Sequence, residues 1–276
     1  MSDAEDPIAR SDLPTRFAMG VAMVAIAVAL IYIGGWPFRL FVLAGAALML
    51  VEWADMHRVP RLWAYAGILL LVANLLIAGE LLYPVAEMDE VVSGASFAPA
   101  WSGIAAAGGA ALLLGLLSRR AAMLGGYLYV AIPAFLLLVI NWTWFGLTFW
   151  VMVVTWSTDI FAYFAGRSIG GPKLAPSISP NKTWAGLIGG MAGAGVFGAL
   201  TATYFELGSP FVWIGALMGL VAQAGDLYES WVKRRAGVKD SGTILPGHGG
   251  VLDRLDGLLP VIVVTFLLLA AGQWTG

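Results

Sequence analysis

Ala121–Ile140 reads AAMLGGYLYVAIPAFLLLVI, twenty consecutive residues without a charge. A run of about 20 apolar residues is what an α-helix needs to cross roughly 30 Å of hydrocarbon. Such runs recur along the 276-residue chain, which is 60% hydrophobic and only 12% charged, with a mean hydropathy of +0.84. These values lie outside the soluble range and point to an integral membrane protein. Strands of a membrane barrel would alternate in segments of about ten residues, and these runs do not alternate. The expected fold is all-α, a polytopic integral membrane helical bundle.

Charges, prolines and polar clusters divide the apolar sequence into about nine transmembrane helices. They are placed at 16–34, 37–55, 62–83, 99–117, 121–140, 143–165, 184–205, 210–229 and 256–274. The break at Gly34, Gly35, Trp36 and Pro37 suits either a turn or a kinked pair. Nine spans put fourteen of the 15 Lys and Arg residues on one side and leave only Arg39 on the other. By the positive-inside rule the N-terminus is then cytoplasmic and the C-terminus outside, with Glu87, Asp89, Glu90 and Glu206 in the opposite loops. Asp3, Glu5, Asp6 and Asp12 lack the character of a signal peptide, so Met1–Leu13 is expected to be a short mobile tail.

This divides the chain into residues 1–140, about five spans of generic membrane helix, and residues 141–276, with cytoplasmic loops at 166–183 and 230–256. Trp63, Trp101, Trp142, Trp144, Trp150, Trp156, Trp184 and Trp213 fall mostly near span ends, as interfacial anchors do. The small residues of Gly186–Gly198 suit close helix packing.

The absence of cysteine removes disulfides, thiolate metal sites and a Cys nucleophile. A net charge of −2 argues against nucleic-acid binding. His57 and His248 are too distant in sequence, and too few, for a zinc site, so any metal would be held by oxygen ligands, which describes magnesium.

Most chemistry-bearing residues lie in two polar segments. The first, Asp159–Lys182, reads DIFAYFAGRSIGGPKLAPSISPNK; its glycines and prolines exclude a continuous helix. Arg167, Lys173 and Lys182, with Ser177, Ser179, Asn181 and Thr183, are groups that hold phosphate oxygens. Gly166 and Gly171 have the spacing of a P-loop, but Pro172 stands where that motif needs Lys, and a helix precedes it instead of a strand.

The second segment, Asp226–Asp256, reads DLYESWVKRRAGVKDSGTILPGHGGVLDRLD. Asp226, Glu229, Ser230 and Lys233 share one face at the end of the eighth span. Pro246–Gly250 (PGHGG) forces a tight turn, and Asp253 and Asp256 are expected on the first turn of the final span, where carboxylates and phosphates are favoured. Five acids of this segment could carry a metal: Asp226, Glu229, Asp240, Asp253 and Asp256. Glu52, Asp55, His57, Asn74 and Glu80 read as interhelical hydrogen-bonding or interface residues, with support of an active site as the alternative.

The chain resembles the phosphatidate cytidylyltransferases, also called CDP-diacylglycerol synthases. Their long C-terminal pattern is met by Ser230, Val232, Lys233, Arg234, Lys239, Asp240, Gly242, Leu245, Pro246, His248, Gly249, Gly250, Val251, Asp253, Arg254, Leu255 and Asp256. Gln223, Gly225, Asp226 and Glu229 look like the family's approach to this motif, and Asp159, Ala162, Tyr163, Gly166, Arg167, Ser179, Pro180, Lys182 and Thr183 stand as expected in the first segment. Ala185 departs from the Glu or Gln that many members carry.

The resemblance implies transfer of a cytidylyl group from CTP to phosphatidic acid, giving CDP-diacylglycerol and pyrophosphate, with Mg2+ as cofactor held by Asp226, Asp253 and Asp256 with Asp240 assisting, and a second cation such as K+ as a further candidate. It implies a homodimer in the lipid bilayer, in a bacterial inner (plasma) membrane, with a cytoplasmic active site. Asp226, Lys239, Asp240, His248, Asp253, Arg254 and Asp256 become the catalytic candidates. Asp159, Arg167, Ser179, Asn181, Lys182, Thr183, Ser230, Lys233 and Arg234 become the substrate-binding ones. His248 is a candidate for orienting a phosphate or accepting a proton, and the lipid is expected to enter by a groove near spans six to nine. A transporter would instead place its ionisable residues near the bilayer midplane. CDP-alcohol phosphotransferases would need an aspartate pattern that Asp256-Gly257 does not continue. Lipid kinases that consume CTP share a similar loop-and-metal logic.

Overall fold

The computed structural model describes residues 8–86, 97–244 and 249–271. Its long helices run in chain order as α1 (Ile8–Ile33), α2 (Gly35–Met56), α3 (Arg61–Ala86), α4 (Ala98–Ser118), α5 (Ala121–Thr143) and α6 (Phe145–Ser168). A hairpin of β1 (Lys173–Ala175) and β2 (Ser179–Thr183) follows, then α7 (Trp184–Tyr204), α8 (Ser209–Trp213), α9 (Gly215–Ala236), α10 (Leu252–Leu255) and α11 (Leu258–Ala271). The acidic tail at Asp3–Asp6, the acids at Glu87–Glu90 and the Leu245–His248 part of the glycine-rich turn lie outside the described residues.

Among the described residues five helices are long and apolar enough to cross a membrane: Gly35–Met56, Ala100–Ser118, Ala121–Thr143, Phe145–Ser168 and Trp184–Tyr204. Gly20–Ile33, Arg61–Leu76 and Leu258–Ala271 are shorter apolar helices. The run that opened the sequence reading becomes α5, the most buried of the five. It packs against α2, α3, α4, α6 and α11, and Tyr127, Val130, Ala131 and Ile140 on it are fully buried. Burial on almost every side explains its near-continuous apolarity.

Gly34 and Gly35, both at positive φ, break the chain between α1 and α2, so this is a turn between two helices. The expected eighth span differs more. A break at Ile214 separates α8 from α9, and α9 runs past residue 229 to Ala236. It ends at Gly237, in the left-handed region at φ 77°. The final helix begins at Leu258, because Asp253 and Asp256 belong to and terminate the separate turn α10. The first polar segment also holds local structure the sequence did not announce. There β1 and β2 pair antiparallel, Lys173 opposite Thr183 and Ala175 opposite Ser179.

The glycine-rich start of α7 packs on α6 at near-backbone contact. A Cβ at Gly190 would lie 3.0 Å from the Thr158 carbonyl oxygen, and one at Gly186 would lie 3.0 Å from that of Ala162. Small residues here let two backbones approach as larger ones could not. Trp150 departs from the expected belt of interfacial tryptophans: it is fully buried and donates its indole N–H to the Gly198 carbonyl at 3.0 Å. Trp213, at 80% exposure, fits the belt. Asn74 makes the interhelical bond expected of it, to the Gly103 carbonyl at 3.2 Å.

Helix ends near the site converge because α6 and α7 are antiparallel neighbours and α9 packs against both. The C-terminal turns of α6 and α9, the hairpin and the start of α7 therefore meet. Gly190→Val should force α6 and α7 apart at this junction and cost about 1–3 kcal/mol by overpacking. Thermal unfolding in detergent should show a lowered midpoint, whereas Gly108→Ala, where a Cβ meets nothing within 4 Å, should leave it nearly unchanged.

Candidate active site

Two groups of carboxylates form at the polar end, and they differ in how their oxygens are filled. The first is built on Asp226, one turn before Ser230 on α9. Lys182, at the penultimate position of β2, places Nζ 2.5 Å from Asp226 Oδ2 and donates to Gln223 Oε1 at 2.8 Å. Ser230 Oγ donates to Asp226 Oδ1 at 3.4 Å. The hairpin thus delivers a cation from the first polar segment to a carboxylate of the second. Thr183 fixes the junction: buried, it accepts a bond from Gly186 N–H at 3.0 Å and so caps α7.

Asp256 belongs to the same group. It is half-buried, and its Oδ1 accepts from Gly257 N–H at 2.8 Å. Burial, then the negative charges of Asp226 and Glu229, push its carboxyl well above the usual carboxylate range. Asp159, on the last turns of α6, adds to the same negative field and itself feels Asp226, Lys182 and Arg254. Asp226, Asp256 and Asp159 therefore share one electrostatic neighbourhood, with Lys182 bound to the first of them.

In the second group Asp253 is closed, whereas buried Glu229 meets Lys233 through Oε2 and has no described hydrogen-bond partner at Oε1. Lys233 lies between Glu229 Oε2 and Asp253 Oδ1, 2.6 Å from each. Asp253 also accepts from Ser241 N–H, at 3.2 Å to Oδ1 and 3.0 Å to Oδ2, and from Gly250 N–H at 2.8 Å. A carboxylate offers about four acceptor directions, and these contacts occupy them. Burial works against the Asp253 charge, but Lys233 and the two amides outweigh it and hold its carboxyl below the usual range. Burial likewise opposes the Lys233 charge, and Asp253 and Glu229 outweigh it, raising that ammonium.

The N-terminus of α10 is also occupied. Val251 N–H donates to Glu52 Oε1 at 2.8 Å and Leu252 N–H to Glu52 Oε2 at 2.9 Å. The amides that the sequence reading offered to a metal-bound anion are thus satisfied by the protein's own carboxylates. Glu52 took only the minor part in that reading, and the one signal available was an acid at the edge of an apolar run.

Other predicted residues lie around this centre. Arg234 donates to the Ile178 carbonyl at 3.4 Å, tying α9 to the hairpin, and Arg167 donates to Tyr163 OH at 3.0 Å. Asn181, Lys239, Asp240 and Arg254 are exposed, and Ser179 is half-buried. Asp240 has no described contact with the other acids, and His248 lies outside the described residues. Among the described residues no three acids or histidines are grouped closely enough to form a metal site as they stand. The oxygen chemistry of the first group suits a hard cation nonetheless, because Asp226, Asp256 and Asp159 supply carboxylate oxygens from three elements.

An open cleft of about 420 Å3 is lined by Leu128, Tyr129, Ile132, Tyr228, Leu259 and Val263 among others, with Tyr228 two residues along α9 from Asp226. It lies between α5, α9 and α11, so a helix of the N-terminal half forms one wall that the sequence had placed near spans six to nine. The rings of Tyr129 and Tyr228 are 5.4 Å apart, and the Tyr129 hydroxyl is buried with no hydrogen-bond partner.

Lys233→Met should be strongly destabilising, by about 3–5 kcal/mol, because it leaves Glu229 and Asp253 facing each other without their cation. Adding Glu229→Leu should restore part of the thermal midpoint, measured in detergent. Equal loss in the single and double variants would contradict the pairing.

A sequence model of the cytidylyltransferase family matches residues 14–271. The chain is 38% identical over 280 aligned positions to a phosphatidate cytidylyltransferase of Brucella abortus biovar 1 (strain 9-941), covering 93% of each chain. It is also 47% identical over 131 positions to the phosphatidate cytidylyltransferase of Bacillus subtilis (strain 168), covering 46% of this chain and 49% of that one. Against that of Pseudomonas aeruginosa PAO1 the figures are 41% over 158 positions, 55% and 58%. The match runs through the N-terminal helices as well as the polar end, and on that extent the chain belongs to the cytidylyltransferase family.

Proposed function

We propose that this chain is a phosphatidate cytidylyltransferase that joins CTP to phosphatidic acid and releases pyrophosphate. The observation that carries this reading is the meeting of Lys182 with Asp226 beside Asp256 and Asp159. It brings cation and carboxylates from both polar segments to the edge of an apolar cleft. That combination suits a substrate with a charged phosphate head and an apolar body. A phosphate oxygen of phosphatidic acid attacks the α-phosphorus of CTP; the new O–P bond forms as the bond to pyrophosphate breaks, and the leaving group carries away the electron pair. Phosphatidate is already anionic, so positioning matters more than a strong base.

Asp226 and Asp256 are the proposed magnesium ligands, with Asp159 beside them; Asp253 enters this set only if Lys233 and the amides release its oxygens. When bound, magnesium supplies charge neutralisation at the phosphate oxygens. Lys182 holds Asp226 in place and presents its ammonium to the same space. Arg167, Arg234, Lys239 and Arg254, exposed around the rim, are proposed to hold the triphosphate and the lipid phosphate, with Ser179 and Asn181 as hydroxyl and amide donors. Tyr129 and Tyr228 place the cleft beside the carboxylates, and an acyl chain fits its apolar walls.

In purified protein, labelled CTP should enter chloroform-soluble lipid with release of pyrophosphate; release of CDP instead would indicate a lipid kinase. Activity should be lost in EDTA and reduced at least about a hundredfold in Asp226→Asn and Asp256→Asn. The raised Asp256 carboxyl gives the sign of the pH effect: as pH falls, a proton competes with the metal, so the apparent magnesium requirement should rise as pH is lowered across the range in which the enzyme is active. A requirement that is flat over this range would count against Asp256 as a ligand.

The membrane arrangement we propose has nine passages: the five long apolar helices, α1, α3 and α11, and the α8–α9 pair. The active end faces the cytoplasm of a bacterial inner membrane, in line with the fourteen cations on that side. A homodimer follows from the family resemblance. The chain has no cysteine, so single cysteines can be read without background. With an impermeant maleimide, Ser177→Cys should label only in inverted vesicles and Glu206→Cys only in intact spheroplasts.

A further inference from the structure

Glu52 lies on α2, far in sequence from the polar segments, yet it is only 2% exposed and its carboxylate is turned into the second of them. Three donors meet it: Val251 N–H at 2.8 Å, Leu252 N–H at 2.9 Å and the Ser241 hydroxyl at 3.3 Å. The surrounding chain is shaped to admit it. A Cβ at Gly242 would lie 2.9 Å from Oε1, and one at Gly250 would lie 2.7 Å from Oε2. Two glycines therefore leave room for this carboxylate, where larger residues would expel it.

The bonded amides immediately precede Asp253 and open the turn that ends at Asp256. Ser241 is tied twice, its hydroxyl to Glu52 and its amide to Asp253. Glu52 and Asp253 thus hold Ser241 on one side and Gly250–Leu252 on the other, the two described ends of this arc, one from α2 and one from within. Asp253 is in turn locked to α9 through Lys233. The position of Asp256 relative to Asp226 is consequently set by α2 as well as by α9.

We propose that Glu52 is a positioning residue for the cytidylyl transfer: through the amides of Val251 and Leu252 it fixes where Asp256 stands against Asp226. This rests on the reaction proposed above. A carboxylate is suited to the task because it accepts from several N–H and O–H donors at once, whereas the amide of glutamine must turn a donor toward one of them. Residues that orient metal-binding groups without touching the metal change affinity or turnover by about 10- to 100-fold when altered.

The test uses full-length protein in detergent, comparing wild type, Glu52→Gln and Gly242→Ala. Gly242→Ala presses on the Glu52 carboxylate while leaving its charge in place. Both variants should lower kcat and raise the apparent magnesium constant by about 10-fold or more, with the KM for CTP changed by less than about threefold. Hydrogen exchange at residues 241–252 should be faster in both without magnesium or substrate present. Variants that lose thermal stability alone, with kcat per folded molecule and the magnesium constant unchanged, would reduce Glu52 to a structural residue and overturn the proposal. Unchanged exchange in the arc would overturn it as well. A wild-type protein that makes no CDP-lipid would instead sink the proposed reaction, while the exchange result would still report whether Glu52 anchors the arc.

Discussion

A carboxylate withdrawn from water must be given donors, and the polar end of this protein is arranged around that requirement. Glu52 is given two amides and a hydroxyl, and Asp253 an ammonium and two amides. Because the Glu52 carboxylate comes from α2 and these donors from α9 and the segment after it, satisfying the acids also sets the relative positions of those elements. Among its described residues the segment between α9 and α11 holds only the short α10 as regular structure, and the carboxylates of Glu52 and Asp253 supply the order that a hydrogen-bond ladder would otherwise provide.

The same accounting separates structural acids from reactive ones. Asp253 and Glu52 have their oxygens filled, so neither offers a free face to a ligand without rearrangement. Among the described residues Asp226 meets Lys182 and a long bond from Ser230, and Asp256 accepts the amide of its neighbour Gly257. Negative charge that is concentrated is costly in a half-buried setting, and a bound cation relieves it. The stabilising group and the reactive group stand side by side on α9, one turn apart, which couples the rigidity of the loop to the geometry of the site.

Close helix packing brings this arrangement within reach of the bilayer. The glycine face of α7 lets α6 approach it at backbone distance, which carries Asp159 and the hairpin toward α9. On the other side α5 and α11 leave an apolar cleft against Tyr228. Small residues on one face and an unfilled gap on the other place the charged centre at an edge that an amphiphile could reach laterally.

The sequence alone determined the class of fold, because runs such as Ala121–Ile140 can satisfy their backbone in hydrocarbon only as helices. It also marked the two polar segments, since charges at the end of an apolar helix are too costly to be incidental, and helical spacing placed Asp226, Glu229, Ser230 and Lys233 on one face of α9. Whether Asp253 and Asp256 would act together was decided elsewhere. They are three apart in sequence, yet α10 sends one to Lys233 and the other toward Asp226. Nor could the sequence reveal that Glu52 closes the loop roughly 200 residues away, or that Trp150 lies in the core instead of at an interface. A local pattern records which side of a helix is polar; which donor meets which carboxylate depends on how separate helices dock, and that is fixed only when the packed bundle brings their ends together.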